Sequence, residues 1–123
     1  MQGINDNRPL DLSYLIGMVG HNPDFMIEIF DTFIEHTPVY LAELEAALAL
    51  GNWKEVSNCA HKMKPTFSYI GRNDVTDLMQ AIEYNARNEV VEQVKSDIER
   101  LKVVSQQVYA QLELEKENIR SRS

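Results

Sequence analysis

Cysteine is almost missing from this chain: Cys59 stands alone in 123 residues. No internal disulfide can form, and nothing points to an oxidising compartment. One Cys with three scattered His also speaks against a structural zinc site. No apolar run approaches the roughly 20 residues that span a bilayer, and the first residues lack a basic-then-apolar leader pattern. The expectation is a soluble, cytoplasmic protein. Positive charge is scarce, with 12 Lys and Arg against 19 Asp and Glu and a net charge of −7, which disfavours nucleic acid as the main partner. Glycine-rich phosphate loops, a nucleophile elbow, internal repeats and low-complexity tracts are absent, so no ATP site is expected.

Apolar residues make up 44% of the chain and charged residues 25%, enough for one packed domain. Its five Gly and four Pro fall mostly where helices would be punctuated. Residues 1–9 read as an irregular lead-in. A short helix fits 10–19, with Leu12, Leu15, Ile16 and Val19 on one face and Gly20 as terminator. Asn22-Pro23-Asp24 then supplies an N-cap, a proline at the first helical position and an early acid. The helix this starts carries Phe25, Met26, Ile29, Phe30, Phe33 and Ile34 toward the core up to His36. Thr37-Pro38 either begins a new helix or kinks one long one that reaches Leu50. Gly51-Asn52 stops it and caps a helix over 53–70, with Glu55 in capping-box position. Val56, Ala60, Met63, Phe67 and Ile70 form its apolar stripe. Gly71 and Asn73 separate it from a helix over 74–87 bearing Val75, Leu78, Ile82 and Ala86. A last helix, about 40 Å long, fits 90–115, with Ser105 interrupting its stripe, and 116–123 reads as a frayed polar tail. Short connections make neighbours antiparallel. The fold class is therefore all-α, an up-down four-helix bundle over 10–115 with a short additional N-terminal helix.

Function is sought on faces that packing does not explain. Advancing 100° per residue from the stripe of helix 53–70 puts His61 on the solvent side. Lys54, Ser57, Lys64, Pro65, Ser68 and Arg72 fall around it with no carboxylate beside the histidine, a local basic patch with a nucleophile at its centre. An exposed histidine between lysines is ordinarily just solvated. Here, however, small serines leave the imidazole accessible, and Lys64 lies one turn away, where its ammonium could neutralise a phosphoryl group. His21 in a cap and His36 at a helix end carry no comparable surroundings.

The stretch from Ala60 through His61, Met63, Lys64, Ile70 and Gly71 resembles the signature of histidine-containing phosphotransfer (HPt) domains. Val75, Leu78 and Ile82-Glu83 downstream, and Phe33, Pro38, Leu41, Leu44 and Gly51-Asn52-Trp53 upstream, extend the resemblance over about 11–88. It implies that His61 accepts a phosphoryl group from the aspartyl-phosphate of a response-regulator receiver domain and passes it to another receiver. Lys64 would balance the added charge, and the surface of Lys54, Ser57, Pro65, Ser68 and Arg72 would dock the partner. The protein would be a phosphotransfer carrier rather than an enzyme. It would be a monomer with no cofactor of its own, served by a hybrid sensor histidine kinase and by receivers that bring magnesium. Pro65 departs from the glycine usual at its position, and it removes the N–H that would bond the His61 carbonyl. Phe67 replaces a commonly small residue and fills core. The competing reading is a non-catalytic helical adaptor or dimerisation module that pairs through the 91–112 stripe. A small hydrolase or metal-binding protein ranks below both.

Overall fold

The computed structural model describes residues 9–20 and 22–122. Five helices follow one another: α1 Ser13–Val19, α2 Pro23–Ala49, α3 Trp53–Tyr69, α4 Asn73–Arg87 and α5 Val91–Arg122. Neighbours pack in the cycle α2, α3, α4, α5 and back to α2, while α1 rests on α2. This is the expected four-helix bundle with an extra N-terminal helix.

The punctuation residues act as their chemistry dictates. The side-chain oxygen of Asn22 accepts the Phe25 N–H at 3.0 Å, and that of Asn52 accepts the Glu55 N–H at 3.2 Å, so each fills an orphan donor of its helix. At the start of α1, Asp11 Oδ1 accepts both the N–H and the hydroxyl of Ser13, which delays the helix to residue 13. The Asp11 N–H in turn donates to the Ile70 carbonyl at 3.0 Å. Gly71, at φ +76°, lies where any added Cβ would meet the Asp11 carbonyl oxygen at 2.6 Å and its Cα at 2.9 Å. Only glycine lets the backbone at Asp11 close on the α3–α4 turn.

Thr37-Pro38 does not divide α2. The buried series Met26, Phe30, Phe33, Thr37, Leu41, Leu44, Ala47 keeps one register across the proline, and packing along that face outweighs the lost Ile34 carbonyl bond. His36 consequently lies inside a helix and not at its end. Phe25 is exposed, contrary to its assignment to the core. His21 lies outside the described residues, as do residues 1–8 of the expected lead-in and Ser123 of the expected tail.

The frayed tail from Lys116 is also corrected, because α5 continues to Arg122. Val104, Val108 and Leu112 are buried, Lys116 takes the next inward position and Ile119 packs against the core. The Lys116 stem covers apolar surface while its ammonium pairs with Asp31 of α2 and Glu113, so a polar letter occupies a core register. Ser105 likewise sits fully buried within the stripe. Among the described residues no helix is long and apolar enough to cross a membrane.

Candidate functional site

The α3 stripe Val56, Ala60, Met63, Phe67 and Ile70 is buried, which turns His61 outward with 67% of its side chain exposed. The surroundings of that ring come from two helices. α3 and α4 form a hairpin symmetric about Arg72. His61 faces Glu83, Lys64 faces Gln80 and Ser68 faces Thr76, each pair equidistant in sequence from Arg72. Glu83 Oε2 stands 3.2 Å from His61 Nδ1, so the expectation of a carboxylate-free patch is overturned. A wheel drawn on α3 alone could not show a group delivered by α4.

Glu83 is only 4% exposed and is surrounded by cations. Its Oε1 lies 2.8 Å from Lys64 Nζ, and its Oε2 accepts from Arg87 Nη2 at 2.5 Å. Lys64 Nζ also donates to Gln80 Oε1 at 2.7 Å. Burial pushes the Glu83 carboxyl upward, but the hydrogen bond and charge of Lys64, with His61 and Arg87 beside it, outweigh burial and hold it below the usual glutamate range. An ionised carboxylate only accepts hydrogen bonds. A neutral imidazole that donates to such a carboxylate from Nδ1 keeps its lone pair on Nε2.

The other expected site residues divide. Lys54 and Pro65 are exposed on the His61 side of α3. Ser68 is half-buried, its hydroxyl 3.1 Å from that of Thr76 and donating to the Lys64 carbonyl. Ser57, expected on the open face, is 5% exposed, because α4 packs over that side of α3. Arg72 is also removed from the docking face. It is fully buried at the hairpin turn, donating from Nε and Nη2 to the two carboxylate oxygens of Asp74 at 3.0 and 2.9 Å. Glu83, Gln80 and Arg87 were missed as site residues. The signal for them was present, since counting outward from the turn pairs 61 with 83 and 64 with 80. Cys59 offers no rival nucleophile: it is buried, and burial followed by the Glu55 carboxylate pushes its thiol up to about 11.

The hairpin thus brings three residues of the signature together: the exposed His61 imidazole, Lys64 one turn along α3, and Glu83 between them from α4. The Hpt domain family matches the chain over residues 28–119, more than half its length. The chain belongs to the Hpt domain family. The match extends the earlier resemblance from α4 into α5, so the long last helix belongs to the Hpt domain. Neither a curated protein nor a solved structure gives a match. Hpt domains are helical bundles that carry phosphoryl groups on histidine in two-component signalling. They are not enzymes with ATP sites, and they work with response-regulator receiver domains and kinases.

Proposed function

We propose that His61 is the phosphoacceptor of a phosphorelay, taking the phosphoryl group from a receiver aspartyl-phosphate and passing it to a second receiver. The observation that carries this reading is the 3.2 Å contact between His61 Nδ1 and the buried Glu83 carboxylate on an otherwise exposed ring. In the transfer, the Nε2 lone pair forms the N–P bond as the P–O bond to the aspartate breaks, and the aspartate leaves as a free carboxylate. The ring becomes a phosphoimidazolium that keeps its Nδ1 proton. Its new positive charge faces Glu83, which stabilises charge as it develops. Return of the phosphoryl group to another aspartate reverses these bonds.

Lys64 keeps Glu83 ionised and in place. With Arg87 it leaves the cluster net positive toward an incoming phosphate. Magnesium comes with the receiver, and the protein acts as a cytoplasmic monomer. Lys54 and Pro65 on α3, with Gln80 and Arg87 on α4, form the docking surface around His61. The adaptor reading loses its surface, because Val94, Ile98, Leu101, Val108 and Leu112 are spent in this chain's own core.

Incubation with a phosphorylated receiver domain tests the assignment. His61 should gain an acid-labile, alkali-stable phosphate, His61→Gln should abolish labelling while the protein stays helical, and His21→Gln and His36→Gln should label normally. Undiminished labelling of folded His61→Gln would remove the site and the function together.

A further inference from the structure

Lys64 is the cation expected to meet the phosphoryl group, yet its ammonium is already engaged. It is ion-paired with Glu83 Oε1 at 2.8 Å and donates to Gln80 Oε1 at 2.7 Å, and only 18% of its side chain is exposed. Arg87 is placed differently. Its side chain is 61% exposed, and Nη2 bonds Glu83 Oε2, the same oxygen that faces His61 Nδ1. The guanidinium thus lies beside the imidazole on the open side of the cluster. A guanidinium has five N–H donors in a planar fork that matches phosphate oxygens, and the bond to Glu83 occupies one of them.

Resting on the assignment of His61, we propose that Arg87 is the cation that directly binds the phosphoryl group on Nε2, while Lys64 serves by holding Glu83. Arg87 gives hydrogen bonds to the phosphoryl oxygens and exchanges no proton, so the transfer balances as written above. It keeps its carboxylate partner with one nitrogen and offers the remaining donors to phosphate.

The test uses phosphoramidate, a small phosphoryl donor, so that receiver docking plays no part. His61 labelling is followed by mass spectrometry on the folded protein. Arg87→Ala should slow labelling by about tenfold to a hundredfold, the worth of a charge-assisted hydrogen bond. Arg87→Lys, which keeps the charge and loses the fork, should fall between, and Arg87→Gln should behave like the alanine variant. The same Arg87→Ala change is then made in Glu83→Gln protein. Direct contact predicts that the loss persists in this background, whereas a residue acting only through Glu83 would show no further loss. Wild-type rates in Arg87→Ala, or a loss that vanishes in the Glu83→Gln background, would overturn the role of Arg87 and leave His61 standing. A wild-type protein that never labels on His61 would overturn both.

Discussion

The α3–α4 hairpin holds a buried carboxylate at each end, and the two are solvated in opposite ways. At the turn, Asp74 and Arg72 are both buried, with side chains 4% and 0% exposed, and the guanidinium grips both carboxylate oxygens. At the other end Glu83 is equally buried, but its neighbours grade outward from Lys64 through Arg87 to His61. The first arrangement is closed: both groups are buried and present nothing to solvent. The second is open, since a buried anion stands 3.2 Å from one nitrogen of a ring that is 67% exposed. Burial of an ion pair therefore does not by itself mark a site.

Breaking the closed end should have the larger effect on stability. Asp74→Ala removes the carboxylate that two guanidinium nitrogens grip, and breaking a buried ion pair costs about 3–5 kcal/mol. Urea unfolding should show this loss, while His61 labelling per folded molecule stays at the wild-type level. A slowed transfer in the folded fraction would mean that the two ends are coupled through the hairpin.

Breaking the open end should shift the weight from stability to rate. Glu83→Gln keeps the shape but removes the charge that holds Nδ1–H and offsets the phosphoimidazolium, and transfer should slow by about tenfold. The stability effect is smaller and depends on pH. The Glu83 carboxyl titrates below its ordinary range in the folded protein. Its contribution is therefore fully present above the unfolded value, near 4.3, and is lost as pH falls through the lower folded value. The gap in urea stability between wild type and Glu83→Gln should accordingly close as pH drops from about 6 to about 3. A gap that widens on acidification would contradict an ionised, cation-held Glu83.

Much of this could be read from the chain. The caps at Asn22 and Asn52 and the α3 stripe depend on local rules, and they place His61 outward without any tertiary information. What escaped involved a second helix. Glu83 and Arg87 reach His61 only because the hairpin folds about Arg72, and the burial of Ser57 and Arg72 likewise depends on tertiary packing that the α3 wheel does not contain. Lys116 looked like a solvated tail because its letter is polar, although its spacing continues the stripe of Val108 and Leu112. Pro38 left one helix or two undecided, and the apolar register running through it settled the matter.

In the proposed transfer Glu83 holds the His61 proton on Nδ1 and thereby makes Nε2 the acceptor, and nitrogen-15 NMR of the histidine ring tests this. Long-range proton–nitrogen spectra of the neutral protein should show the proton on Nδ1, and spectra of the phosphorylated protein should show phosphorus on Nε2 with Nδ1 still protonated. A neutral ring protonated on Nε2, or phosphorus attached to Nδ1, would contradict it.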